Sequence, residues 1–307
     1  MDQISFRLNP VPPFDLRFTA WALRRRPDNI IDRWDGQAYK RVMIYDGKPV
    51  EVEVAEQGPS ERPTLLIKAT AETVGPGLKS TLTHALERML GLRIDLSSFY
   101  DFVKTDTRLY QLSRRFLGLK PPRFLSLFET LVNAFACQQL TLVVGILLLN
   151  RLAMRCGMPF KKGNSTVYTF PQPERVARLH PGTFRKMGFS RQKGRALAEL
   201  SQGITRKSVD LESIEPLGDE AALEQLYQLR GVGRWSAEYV LLRGMGRTTL
   251  FPGDDVGAQN KLKHLLRLRK PLDYEGIRRL LSRWKPFGGL IYFHLLLDGL
   301  LKEGYLR

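Results

Sequence analysis

The chain has 307 residues, of which 43% are hydrophobic, a formal net charge of +17 and an isoelectric point near 10.1. Such a length exceeds one typical domain, and the apolar content excludes a disordered chain. The surplus of Lys and Arg points to a polyanionic partner, because each cation that meets a phosphate releases condensed counterions. No basic amphipathic anchor or lipidation motif nominates a membrane surface instead.

The first residues, Met1-Asp2-Gln3-Ile4-Ser5-Phe6-Arg7, lack the apolar run of a signal peptide. Residues 38–45, 49–54 and 64–69 alternate or run in β-branched side chains, with Asp46-Gly47-Lys48 as a hairpin turn. A helix is predicted over 79–90, with Leu82, Ala85, Leu86 and Leu90 on its apolar face. Residues 1–104 thus read as a small α+β domain with an antiparallel sheet. From about Phe99 onward the pattern is helical. Pro121-Pro122 precedes one long apolar helix over 124–156, whose run around Val143 to Leu149 is too short to span a bilayer. Residues 164–168 form a loop or a short extended piece. Further helices are predicted over 173–179, 181–187, 191–204, 219–228, 235–242, 256–266, 274–283 and 287–301, so residues 105–307 read as an all-α region. Cys137 and Cys156 lie in apolar, helix-like surroundings and read as buried free thiols of a reducing compartment. The chain is expected to be intracellular and cytoplasmic, with no membrane association.

Two segments carry chemistry. Asp219 can N-cap a helix whose apolar face holds Ala222, Leu223, Leu226 and Leu229. Arg230-Gly231-Val232-Gly233-Arg234 then turns the chain into the next helix. Two glycines permit positive φ and let successive amides point at one phosphate, beside a helix N-terminus and two arginines. The same residues also fit an ordinary helix–turn–helix corner with C-cap glycines. Further on, Phe251-Pro252-Gly253-Asp254-Asp255 delivers two carboxylates to a helix start. They can be caps, or one can stabilise positive charge developing on a sugar C1′.

Taken together, Leu229 to Tyr239 with Pro252-Gly253-Asp254-Asp255 resembles the helix-hairpin-helix and Gly/Pro-Asp signature of the DNA glycosylase superfamily. Within it the likeness is to the DNA-3-methyladenine glycosylase II branch. It extends through Phe135-Ala136-Cys137-Gln138-Gln139-Leu140-Thr141, through Lys186-Met187-Gly188-Phe189-Ser190-Arg191-Gln192-Lys193 and through Arg283-Trp284-Lys285-Pro286-Phe287. Pro12-Pro13-Phe14-Asp15 and the early strands match that branch's N-terminal α+β domain, with its TBP-like sheet. The resemblance implies an α+β fold whose helical core has two subdomains.

Carried over position by position, the resemblance makes Asp255 the catalytic aspartate. Leu140, after Gln138 and Gln139, becomes the wedge that fills the gap left by an extruded nucleotide. Gln138, Gln139, Leu140, Arg230, Gly231, Val232, Gly233 and Arg234 become the DNA-binding set. Trp235, Tyr239, Phe287 and Trp284 become the aromatic base pocket, whose faces can attract a cationic alkylpurine. Lyase-competent branches hold a lysine at the place of Trp235; an indole has no nucleophilic amine, which excludes that chemistry at this position. His84, His180, His264 and His294 are scattered and form no metal cluster, and an iron–sulfur cluster would need four cysteines. No cofactor is expected; the resemblance allows at most a monovalent cation at the carbonyls of Leu229 and Val232. Two departures stand out: Arg230 replaces the proline common before Gly-x-Gly, and Gly257 weakens the helix after Asp255.

The implied activity is that of a monofunctional, monomeric DNA glycosylase working near the nucleoid. It would remove alkylated bases such as 3-methyladenine and 7-methylguanine from damaged double-stranded DNA. Uracil, an oxidised purine or a mispaired base are the rival substrates, and a non-catalytic DNA-binding module is the rival class.

Overall fold

A computed structural model describes residues 1–306. Strands β1 (Asp2–Leu8), β2 (Arg33–Trp34), β3 (Ala38–Tyr45), β4 (Lys48–Gln57) and β5 (Thr64–Ala71) form one sheet in the order β1-β5-β4-β3-β2. Every pairing in it is antiparallel, with Met43 opposite Val50 and Phe6 opposite Ile67. Asp46 (φ 48°) and Gly47 (φ 68°) make the β3–β4 turn, both in the left-handed region that matches strand twist. Strand β1 was not among the predicted strands, although Ile4, Phe6 and Leu8 alternate with polar residues in the period of a half-buried strand.

Helices α1 (Leu16–Arg24) and α2 (Leu78–Leu90) cover one face of the sheet, burying Leu16, Leu23, Leu82 and Leu86 against Tyr39, Val52 and Ile67. Asp15 starts α1 by accepting the amides of Arg17 and Phe18. The sheet core does not stop at the sheet: Phe124, Ala134 and Tyr239 belong to the same cluster.

The rest of the chain is helical: α3 (Ser97–Val103), α4 (Thr107–Arg115), α5 (Leu127–Cys137), α6 (Leu142–Cys156), α7 (Pro173–Ala177), α8 (Pro181–Lys186), α9 (Arg191–Thr205), α10 (Asp219–Tyr227), α11 (Arg234–Val240), α12 (Val256–Leu266), α13 (Tyr274–Leu281) and α14 (Gly288–Lys302). A short hairpin, β6 (Pro159–Lys162) with β7 (Ser165–Tyr168), follows α6. Two apolar clusters organise these helices. One gathers α5, α6, α9 and α11 around Leu131, Phe135, Leu152 and Leu197. The other gathers α4, α12, α13 and α14, with Phe18 and Trp21 of α1, around Phe99, Phe116, Leu262 and Phe293.

Two expectations need correction. The single helix over 124–156 is two helices, because Gln138 leaves helical geometry (ψ 129°), Gln139 has φ 53°, and Thr141 caps α6 by accepting the Val144 amide at 3.4 Å. Apolar periodicity continues across this corner, so composition alone hides it. Asp219 is the first residue of α10 rather than its cap; Gly218 holds the cap position, and Asp219 pairs with Arg247 at 3.3 Å. No described helix is long and apolar enough to cross a membrane. Cys137 is half-buried and Cys156 buried, and both are free.

Candidate active site

The corner between α5 and α6, the turn between α10 and α11, and the start of α12 converge on one cleft of about 1050 Å³. Each wall has an identifiable tie. Gln138, at the end of α5, donates from Nε2 to the Gly231 carbonyl at 2.8 Å and to the Ser236 hydroxyl at 2.5 Å. Lys193 of α9 donates from Nζ to the carbonyl oxygens of Gln138 (2.6 Å) and Ala136 (3.3 Å), occupying carbonyls that the helix end leaves open. Burial pulls the Lys193 ammonium below its ordinary value. Leu140 stands 43% exposed on the corner beyond the exposed Gln139, and Val143, Val144 and Leu147 continue an apolar edge along α6.

In the α10–α11 turn the two glycines differ. Gly231 has φ 82°, and a Cβ there would lie 3.0 Å from the Ala196 Cβ, so both backbone and packing require glycine. Gly233 is extended (φ −106°, ψ −175°) and faces open space, where a ligand could approach the backbone. Val232 donates its amide to the Leu229 carbonyl at 3.1 Å. A cation at Leu229 and Val232 would therefore share a carbonyl that already has one donor, and no described group of His, Cys, Asp or Glu could hold a metal. Neither turn arginine is free. Arg230 pairs with Glu199 at 2.6 Å; Arg234 forks onto Asp254 at 2.6 and 3.0 Å and lies 3.8 Å from the Tyr274 ring centroid.

The carboxylate pair separates by role. Asp254 points outward into the Arg234 clamp. Asp255 points inward: its Oδ1 caps α12 by accepting the Ala258 amide at 2.8 Å. Its Oδ2 accepts from the Trp235 indole at 3.3 Å and from the Tyr292 hydroxyl at 3.0 Å. Burial and the neighbouring Asp255 carboxylate push the Tyr292 hydroxyl well above its ordinary value, so it stays a donor. The loop before Asp255 is fixed from below. Glu238, its carboxyl raised by burial, accepts the Gly253 amide at 3.2 Å and the Tyr274 hydroxyl at 2.7 Å, and Gln259 donates to the Gly253 carbonyl at 2.9 Å.

Trp235 stacks on Tyr239, with ring centroids 5.2 Å apart and 26° between planes. The Tyr239 hydroxyl accepts from Arg25 at 3.1 Å. Arg25 and Arg243 are buried, and both line the cleft. A fixed carboxylate oxygen and a stacked indole on the wall of the cleft can hold a flat ring beside a negative charge, which suits a reaction that develops positive charge next to a planar leaving group.

Of the four aromatic positions expected at the pocket, only Trp235 and Tyr239 line the cleft. Trp284 and Phe287 do not. Trp284 is 5% exposed within the α12–α14 core, and Phe287 packs on Phe99 and Phe102 with centroids 5.6 and 5.0 Å away. Both close the core beneath α14 rather than the cleft. Sequence reasoning missed Tyr292, Arg25, Arg243, Lys193 and Glu238. For Glu238 a signal exists, an acid inside an otherwise apolar turn beside Trp235. For Tyr292 none does, because every residue of its helix except the last two is buried.

A family model described as HhH-GPD superfamily base excision DNA repair protein matches residues 132–286. The chain is similar to the DNA-3-methyladenine glycosylase of Bacillus subtilis (strain 168), with 27% identity over 201 residues, 66% of this chain and 66% of that protein. It is also similar to the DNA-3-methyladenine glycosylase 2 of Escherichia coli (strain K12), with 26% identity over 296 residues, 94% of this chain and 96% of that protein. Among solved structures, the 3-methyladenine DNA-glycosylase from Archaeoglobus fulgidus superposes with a TM-score of 0.82 and 25% identity, covering 95% of this chain and 97% of that one.

Proposed function

The chain belongs to the HhH-GPD superfamily of base excision DNA repair proteins, and from that premise we propose that it is a monofunctional DNA glycosylase that hydrolyses the N-glycosidic bond of alkylated bases in duplex DNA. The observation that carries the reading is the Asp255 carboxylate, anchored on α12 by one oxygen and presented to the cleft beside Trp235 and Tyr292 by the other. The names of the relatives support 3-methyladenine as a substrate.

In this reading the Gly231-Val232-Gly233 turn grips the phosphate backbone through its amides, with open space at Gly233 for close approach. Arg230 and Arg234 flank the turn in ion pairs with Glu199 and Asp254, and reach a phosphate by exchanging those partners for it. Leu140, exposed on the corner that Gln138 ties to the turn, enters the duplex and offsets part of the few kcal/mol of stacking lost when the nucleotide is extruded. The extruded base lies against Trp235. The C1′–N bond breaks with its electron pair going to the base. Asp255 stabilises the cationic sugar, and water adds to C1′, its lost proton passing to bulk solvent because the alkylated base leaves neutral. No amine occupies the Trp235 position, so the product is an intact abasic site. We assign residues 1–104 to a sheet domain that buttresses the cleft and residues 105–307 to the helical domain that contains it. The enzyme acts as an intracellular monomer without a cofactor.

The test is incubation with methylated duplex and a panel of duplexes bearing uracil, an oxidised purine or a mismatch. Free alkylated base, with strand breaks only after alkali, is the expected result. Release from another member of the panel alone moves the substrate class. No release from any duplex leaves only the DNA-binding role.

A further inference from the structure

The cations that line the cleft have partners within the protein, with one exception. Arg25 donates to Tyr239, Lys193 to the Gln138 carbonyl, Arg234 to Asp254 and Arg243 to the Ala22 carbonyl. Lys261 of α12 makes no hydrogen bond or ion pair among the described residues. The nearby carboxylates are already committed. Asp255 accepts from Ala258, Trp235 and Tyr292, and the oxygens of Asp298 face Arg115 at 2.6 Å and Lys302 at 2.7 Å. Burial pulls the Lys261 ammonium below its ordinary value in spite of these carboxylates. An ammonium has three donors to place, and leaving them idle in a half-buried position costs stability.

The side chain nevertheless lies in a place made for it. It crosses α14 at Gly299, where a Cβ would stand 2.5 Å from its Cε and 2.9 Å from its Nζ. Gly299 is inside a helix with no turn to make, so a glycine there weakens α14. The three atoms nearest to such a Cβ, outside α14 itself, all belong to Lys261. Gly299 shares a face of α14 with Tyr292 and Leu296, and both of those line the cleft. On α12, Gly257 lies one turn before Lys261 on the cleft side, and a Cβ there would meet Asp255 Oδ1 at 3.2 Å. The wall between the carboxylate and the ammonium is therefore bare backbone, open to close approach.

Resting on the base-removal reading above, we propose that Lys261, held in the Gly299 groove, binds a phosphate next to the extruded nucleotide and so sets the sugar C1′ against Asp255. The charges of the substrate select this partner. In a nucleotide with an alkylated purine the base is cationic and the sugar becomes so, which leaves the phosphates as the anionic groups. An unpaired ammonium in the cleft would work against both cations; a phosphate seated on it removes that repulsion. The phosphate also holds the amine protonated, without a lone pair for attack on C1′, in keeping with an intact abasic product. Lys261 touches the backbone of the substrate and takes no part in bond breaking, while Gly299 is a positioning residue that acts through it.

The experiment measures binding of the full chain to a duplex with a tetrahydrofuran abasic site, by anisotropy over a range of salt. Lys261→Met is expected to weaken binding about tenfold. Its plot of log affinity against log salt should be shallower by about one phosphate contact. A neutral methylphosphonate placed at one of the phosphates flanking the abasic site should cost the wild type the same factor and Lys261→Met nothing further. Gly299→Ala keeps the charge but displaces the ammonium, and should weaken binding in the same sense. An unchanged salt slope in a folded Lys261→Met protein overturns the proposal. So do methylphosphonates that cost variant and wild type equally, and so does a borohydride-trapped adduct through Lys261, which would mark a free amine attacking C1′. If Lys261→Met fails to fold, as thermal melting would show, Gly299→Ala and the wild-type methylphosphonate series decide. Release of alkylated base is assayed separately: its absence removes the base-removal reading, whereas its presence with an unchanged salt slope removes the Lys261 contact alone.

Discussion

Asp255 and Tyr292, 37 residues apart in the chain, meet through a 3.0 Å hydrogen bond from the phenol to Oδ2. Because Oδ1 of the same carboxylate is spent on the Ala258 amide, the group is fixed at both oxygens before any substrate arrives. Preorganisation of this kind is what makes a carboxylate effective against developing positive charge. It also divides the work of Asp255 into a structural half and a chemical half.

Asp255→Asn separates those halves. Asparagine caps a helix about as well as aspartate, so the melting temperature should change little, whereas Ala would cost about 1 kcal/mol. The negative charge is lost, and base release should fall on the order of 10²–10³-fold. Single-turnover kinetics beside a melting curve checks both. Near-normal excision by a folded Asp255→Asn protein would remove the carboxylate from the mechanism.

Tyr292→Phe removes one donor to a charged acceptor, an interaction of about 1.5–3 kcal/mol. The ring still packs against Phe251 and Phe293, whose centroids lie 5.6 and 5.9 Å away, so the fold should survive. The expected result is a rate about tenfold to a hundredfold lower, with DNA affinity unchanged in a filter or anisotropy measurement. A rate within about twofold of wild type would assign Tyr292 to packing alone.

These two residues mark what the chain shows on its face. Asp255 is legible because Pro252 and Gly253 break the chain just before a helix begins, and a carboxylate there needs a purpose. Tyr292 is not, since it sits in α14 between buried Ile291 and Phe293, where an aromatic facing the core and one facing a cleft look alike. Trp284 and Phe287 entered the expected pocket through the family resemblance, and the same degeneracy leaves nothing in their neighbours to show that they face the core. The α5–α6 corner was hidden for a related reason, because the apolar pattern runs through Gln138 and Gln139 with no proline or glycine to stop it. The sheet was read from β3, β4 and β5, whose β-branched runs and Asp46-Gly47 turn are strong local signals, while β1 depends on pairing with β5, 60-odd residues away. Arg25 illustrates the remaining limit: it is the middle of three consecutive arginines, and only the tertiary structure buries it.

The turn glycines should respond oppositely. Gly231→Ala puts a side chain at φ 82° against Ala196, and the protein should lose about 1–3 kcal/mol of stability. Gly233→Ala is sterically free in the unbound protein and should stay within about 0.5 kcal/mol of wild type. If the phosphate backbone approaches Gly233 as proposed, its methyl group would stand in the way, and binding of a duplex with an abasic site should weaken. Chemical denaturation and anisotropy on the same two variants test the pair. Unaltered duplex affinity in Gly233→Ala would move the phosphate contact elsewhere.

Acid stability should be governed in part by His294. Its ring is buried between Phe99 and Phe116, one nitrogen bonds the Leu290 carbonyl at 2.8 Å, and the other has no partner. Burial pushes the imidazole down to about 4, against 6.5 in an unfolded chain. The folded value is the depressed one, so the unfolded state binds the proton first; the contribution is complete above about pH 6.5 and is lost as pH falls toward 4. Its size is about 3 kcal/mol at 1.36 kcal/mol per pH unit. Glu56, whose carboxyl burial raises to about 7, works in the opposite sense, favouring the fold as pH falls below that value. The comparison is therefore between variants and not along one curve. His294→Gln keeps a polar group without a titration, and its unfolding free energy should decline less steeply than the wild type's between pH 6.5 and 4. Parallel denaturation curves across that window would show that the imidazole is already charged in the folded protein.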